Sequence, residues 1–157
     1  MDIDTFISIF VPTHEFEPFF VQKHPTQNRA LINLYSKIKC KFPPLFEQLL
    51  LTYSWSNAST SQFQLHDNPP GEDLSGFFAA ISSDKILFDG CIQNKLLIFG
   101  KSSNSYNPIC FHCIGKSPRN YSIVEVDHES ILTPGKKLKI MPTLSKDFTQ
   151  LMQQHLA

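Results

Sequence analysis

The sequence is short of the residues from which most recognisable catalytic loops are built. Six glycines occur in 157 residues. None falls in the spacing that cradles a nucleotide phosphate or in the elbow that exposes a nucleophilic serine. Dinucleotide-binding, P-loop and α/β-hydrolase readings therefore have no footing. Net charge is missing too, since 14 Lys and Arg balance 14 Asp and Glu. A dedicated nucleic-acid binder needs a cationic surface to displace counterions, and a polybasic membrane anchor needs a cluster of one sign. Neither partner is expected. No stretch approaches the ~18 apolar residues of a membrane span. The longest candidates, Leu49-Leu50-Leu51 and Leu96-Leu97-Ile98-Phe99, read as core segments. The opening MDIDTFISIFVP begins acidic, is interrupted by Ser8 and offers no small-residue cleavage site, so a signal peptide is not expected. A cytoplasmic address follows, in which the four cysteines stay reduced.

What is present is a globular composition. The apolar fraction is 41%, with 14 Phe and 11 Pro. A chain of this length builds one domain over residues 1–157 and needs no disulfide or metal staple. No repeat, low-complexity tract or linker interrupts it. Charge drifts along it: residues 61–100 carry five acids and two bases, and residues 101–157 carry seven bases and four acids. Two weakly opposed faces suit a protein partner, in a monomer or weak dimer.

The first 25 residues are rich in Phe and Pro and poor in periodicity. They read as a short strand from Phe6 to Phe10 and then an extended arm. Helical spacing begins after Pro25 and the natural cap Thr26, with Leu31, Leu34, Tyr35 and Ile38 on one stripe. Lys37, Lys39 and Lys41 crowd its end, favourable to the helix dipole. Pro43-Pro44 stops it and opens a second stripe of Leu45, Phe46, Leu49, Leu50 and Tyr53. The two helices are expected to pack as a hairpin. Residues 54–76 read as a long polar loop with one brief strand, Phe63-Gln64-Leu65, followed by a helix near Leu74–Ser82. Leu96 to Phe99, Pro108 to Ile114 and Ser122 to Asp127 are β-rich, and a closing helix starts near Leu144. The order predicts α+β: an antiparallel sheet with packed N-terminal helices and a C-terminal helix.

Cys110-Phe111-His112-Cys113 is the sharpest local signal. Zinc or redox chemistry is one reading. In a strand, however, i and i+3 face opposite sides, and no second pair of ligands stands at metal spacing beyond Cys91 and His128. Buried strand cysteines are the expectation, with no metal and no cofactor. Asp127-His128-Glu129 suggests acid–base work, or else Asp127 capping a short helix with Glu129 in its first turn. His14, Glu15 and His24 are isolated and read as surface or capping groups. No catalytic residue is assigned, and the chain is not expected to be an enzyme. Trp55 is either an interface anchor or a seal over the core. Asp67, Glu72 and Asp73 give an acidic tip, with Phe77 and Phe78 close behind. Trp55, Asp67, Glu72, Asp73 and Phe77 are thus the candidate partner-binding residues.

The run from Phe42-Pro43-Pro44 to Thr52-Tyr53 resembles the helix signature of the SUKH superfamily, the Smi/Knr-like domains. Ile98-Phe99-Gly100, Tyr106 to Phe111, Ile123 to Glu129 and Leu144 to Phe148 resemble its later strands, its acidic corner and its closing helix, in the same order. The match spans about residues 30 to 155. Asn107 stands where that family commonly has an acid, and His112 where it commonly has an aspartate. The resemblance implies a single SUKH-like α+β domain and a non-enzymatic protein-binding role. It points most directly to an immunity protein that neutralises a cognate toxin; if that toxin is a basic nuclease, the acidic stretch 67–89 is the expected contacting face. A regulatory scaffold without a toxin is the alternative, and a small enzyme or zinc-binding domain is a more distant one.

Overall fold

The computed structural model describes residues 2–12, 20–22, 28–115, 117–133, 135 and 137–155. The chain opens with helix α1 (Ile3–Ile7), strands β1 (Val11–Pro12) and β2 (Phe20–Gln22), and helices α2 (Asn28–Ile38) and α3 (Pro44–Thr52). Three short strands follow: β3 (Tyr53–Trp55), β4 (Ala58–Ser59) and β5 (Phe63–Leu65). Helices α4 (Ser75–Ile81) and α5 (Lys85–Gln93) lead into β6 (Leu96–Ser102) and β7 (Pro108–His112). A 3-10 turn at Pro118–Asn120, strand β8 (Ser122–Glu125) and helices α6 (His128–Leu132) and α7 (Phe148–Gln153) complete the order. The fold is α+β with an antiparallel sheet, as the sequence predicts.

The large sheet runs β1-β4-β5-β6-β7-β8, and a separate ribbon pairs β2 with β3. Every pairing is antiparallel. Alternation on the central strands sorts side chains to two faces. Leu97, Phe111 and Ile123 stand in register on one face, and Ile98, Cys110 and Val124 on the other. The first face meets the main core, where Phe46 lies 4.8–6.3 Å from the rings of Phe42, Trp55, Phe77, Phe99, Phe111 and Phe148. Phe99 stacks on Phe111 with centroids 4.2 Å apart, a geometry worth about 0.5–1.5 kcal/mol beyond area burial. The second face carries a smaller core with Cys91, Val126, Ile131 and Leu138.

Two glycines make these contacts possible. A Cβ on Gly100 would lie 2.6 Å from the Gln64 carbonyl oxygen, so only glycine lets β5 pair so closely with β6. A Cβ on Gly90 would lie 2.6 Å from Cγ2 of Ile131, which fixes how closely α5 and α6 approach.

Several expectations need correction. Phe6 to Phe10 is not a strand. The Asp2 carboxylate accepts the Thr5 N–H at 2.7 Å and starts α1, which turns Phe6 and Phe10 to one side with rings 5.2 Å apart. Segment 54–76 holds the expected strand Phe63–Leu65 as β5 but is not otherwise a long loop, because the end of β3 and all of β4 lie in it as well. Trp55 and Asn68 exchange backbone hydrogen bonds, and the buried Asn68 amide donates to the Leu50 and Tyr53 carbonyls. Strand β6 continues past Gly100 to Ser102. The closing helix begins at Phe148, capped by Asp147, because Ser145 is still bridged to Ile123 of the sheet. Helix α5 had no counterpart in the sequence reading. Pro25 and the expected cap Thr26, and His14, Glu15 and His24, lie outside the described residues.

The predicted stripe of α2 is seen, with Leu31, Leu34 and Ile38 buried. Tyr35 on the flank of that stripe ties the two helices. Its hydroxyl donates to the Glu47 carboxylate of α3 and accepts the Phe42 N–H at 3.1 Å. This bond fixes the course of residues 39–42.

Candidate functional site

The five candidate partner residues separate into two groups. Trp55 and Phe77 are buried at 2% and 0% exposure. Trp55 donates its indole N–H to the His66 carbonyl at 2.8 Å, and both rings pack on Phe46. They build the core and cannot anchor a partner, which corrects the sequence reading. Asp67, Glu72 and Asp73 reach the surface. Asp67 accepts the Asn57 N–H at 3.0 Å, and Asp73 accepts both the backbone N–H and the hydroxyl of Ser75 at the start of α4. Asp84 caps α5 through the Leu87 N–H, and Asp89 pairs with Lys85 one turn away. Most of these acids are thus held by local hydrogen bonds or an ion pair while still presenting charge. Ile86 stands on the same helix at 65% exposure.

The Asp127-His128-Glu129 corner is held by Asn107. Asp127 caps α6 by accepting the Glu129 N–H at 3.1 Å, so its carboxylate is turned to the helix. The imidazole is instead oriented by the Asn107 carboxamide oxygen, 2.6 Å from Nδ1. That contact requires the hydrogen on Nδ1 in the neutral ring. The Asn107 amide nitrogen donates to Glu125 at 2.8 Å, and Ser105 Oγ lies 3.3 Å from the same oxygen. The result is a fixed imidazole and a closed local network.

The cysteines fall into two pairs that the sequence does not join. Cys110 faces the smaller core, which it shares with Cys91. Both are fully buried, and burial pushes the Cys110 thiol well up. Cys113 turns the other way, as strand alternation requires, and meets Cys40 just beyond α2. Both of these are half-buried. They line an open depression of about 490 Å³ with Tyr35, Lys39, Lys41, Lys95 and Tyr121. Its described lining includes three lysines and no carboxylate. The Cys113 N–H donates to the Lys95 carbonyl at 2.8 Å, which ties the end of α5 to the end of β7.

No family model, no curated protein and no solved structure matches this chain.

The chemistry of the depression follows from its own groups. The Cys40 thiol is held down to about 7, first by the hydrogen bond from Cys113 and then by the Lys95 cation, against burial, which raises it. The Cys113 thiol, whose Sγ lies 3.6 Å from the Phe111 carbonyl oxygen, moves up through the neighbouring Cys40 and its own burial. Tyr121, beside Cys113, is pushed up to about 12 by burial and the neighbouring thiols, so it stays a neutral hydroxyl. Among the described residues, no group of three or more His, Cys, Asp or Glu is arranged to hold a metal ion. No helix of the described residues is long and apolar enough to cross a membrane.

The sequence reading weighed Cys110 and Cys113 as neighbours and missed Cys40 as a partner. Lys39 and Lys41, beside Cys40, are read from the sequence only as helix-dipole complements. A basic cluster around a cysteine was the available signal.

Proposed function

We propose that this chain is a non-enzymatic protein-binding domain, an immunity protein of the SUKH type that captures a toxin and neutralises it. The reading rests on the α4–α5 rim. Glu72, Asp73 and Asp84 are exposed there, in the same stretch of chain as the outward-facing Ile86. An exposed branched apolar side chain in the first turn after the Asp84 cap can supply a desolvating anchor, and the exposed acids of the same stretch a field that steers a basic partner. The segments that carry the SUKH resemblance include β6, β7 and β8, which are neighbours in one sheet, and this supports the same reading.

The test is capture by tagged protein from its native cell lysate, with low- and high-salt washes and mass spectrometry of the eluate. One dominant stoichiometric protein is expected, weakened by salt and lost with the double variant Glu72→Lys/Ile86→Lys. Neither residue supports the core, so the variant folds. Failure to retain a dominant protein, or retention indifferent to the double variant, overturns the reading.

A further inference from the structure

The depression around Cys40 has no part in the acidic-rim reading, and its chemistry is specific. Two thiols from distant segments meet at an open surface among three cations. Two of those cations sit where the backbone disfavours them. Lys39 and Lys95 both adopt φ +60°, the first directly after α2 and the second after the Asn94 cap of α5. Glycine is the usual residue there, because a Cβ in the left-handed region costs about 1–2 kcal/mol. Asn57 is the other non-glycine with positive φ among the described residues. Side chains kept at strained positions on one depression point to a use for their charge.

We propose that Cys40 and Cys113 form a reversible dithiol–disulfide site for anionic, carboxylate-bearing disulfides of the oxidised-glutathione class, with Cys40 as the attacking sulfur and Cys113 as the resolving one. The Cys40 thiolate attacks one sulfur of the incoming disulfide. A Cys40 mixed disulfide forms, and one small-molecule thiolate leaves. Cys113 then gives up its proton to that thiolate or to water and attacks Cys40 Sγ. The second small-molecule thiolate leaves and takes up a proton. The protein dithiol is oxidised by two electrons, and the disulfide is reduced to two thiols.

The assignment of roles follows from the surroundings. Attack is fastest for a thiol whose pKa lies near the ambient pH, which is the condition of Cys40. Lys39, Lys41, Lys95 and the hydroxyls of Tyr35 and Tyr121 face the pair, and Tyr35 is itself engaged by Glu47. The lysines attract the carboxylates of the oxidant. Cys91 and Cys110 provide an internal control: they share a sealed core where no oxidant reaches them.

The experiment treats the reduced full chain with oxidised glutathione and follows it by intact mass and peptide mapping. Wild-type protein is expected to become lighter by two hydrogen atoms through a Cys40–Cys113 cross-link, with Cys91 and Cys110 unmodified. Cys113→Ser, or Cys113→Ala should the serine variant fold poorly, is expected to accumulate glutathione on Cys40. In Lys95→Gln, the ratio of the rate with oxidised glutathione to that with neutral bis(hydroxyethyl) disulfide is expected to fall about three- to tenfold. Taking a ratio cancels any change in the thiolate fraction. Absence of the wild-type cross-link, glutathione on Cys113 with Cys40 untouched, or an unchanged ratio overturns the proposal.

Discussion

The carboxamide oxygen of Asn107 lies 2.6 Å from Nδ1 of His128 and 3.1 Å from that residue's backbone nitrogen. Its amide nitrogen reaches Glu125 at 2.8 Å. One side chain thus joins the approach to β7, the end of β8 and the first residue of α6. Asn107→Ala is expected to cost about 1–3 kcal/mol, because partly buried partners lose their bonds. Asn107→Asp should also destabilise at neutral pH, since it sets a carboxylate against Glu125, and should recover part of the loss in acid. Urea midpoints at two pH values measure both.

His66 gives stability a dependence on pH. Burial first, and then the Lys101 cation, lower its pKa from 6.5 to about 4, while Asp67 opposes them. The folded protein therefore resists protonation that the unfolded chain accepts. The contribution is complete above pH ~6.5, falls as the pH drops from there toward ~4, and amounts to about 2–3 kcal/mol. His66→Phe should flatten that part of the stability profile. An unchanged slope in denaturant titrations would count against the assignment.

Gly100 is expected to tolerate no side chain. In Gly100→Ala the new methyl would overlap the Gln64 carbonyl, which is backbone and cannot swing away. A loss of about 1–3 kcal/mol is expected. Faster amide exchange across β5 and β6 should accompany it, with β7–β8 less affected.

Lys95→Gly should separate stability from reactivity. Relief of the left-handed backbone is expected to raise stability by about 0.5–1 kcal/mol. Loss of the cation should at the same time slow oxidation of Cys40 by oxidised glutathione. Thermal melting and the oxidation rate, measured on one preparation, check the two halves.

Much of the frame was legible because its elements are long or strongly patterned. Leu31, Leu34 and Ile38 mark α2 by spacing alone, and β7 and β8 read directly as β-rich runs. Of the 54–76 region only Phe63-Gln64-Leu65 was legible, since a two-residue strand such as β4 shows no alternation to detect. Helix α1 was misread because Phe6 and Phe10 fit either period, although Asp2 three residues before Thr5 signalled a cap. Helix α5 had the same signal in Asp84 and Leu87, with Phe88 and Cys91 on its buried side. Of the candidate site, the exposed acids were legible and the depths of Trp55 and Phe77 were not, because an aromatic beside a polar stretch looks the same on either side of the surface. The Cys40–Cys113 pair arises from how β7 meets the end of α2, and local spacing carries no record of that.

Residues 139–145 run beside β8, with Asp127 N–H bonded to the Lys139 carbonyl, Met141 N–H to Glu125, and Leu144 N–H to Ile123. At the opposite margin the two-residue strand β1 covers β4. Each open border of the sheet is thus occupied by a short piece of chain from outside the central strands. Trimming either piece would leave a row of unpaired amides able to recruit another molecule edge to edge. Shortened versions of this protein should therefore polymerise before they unfold.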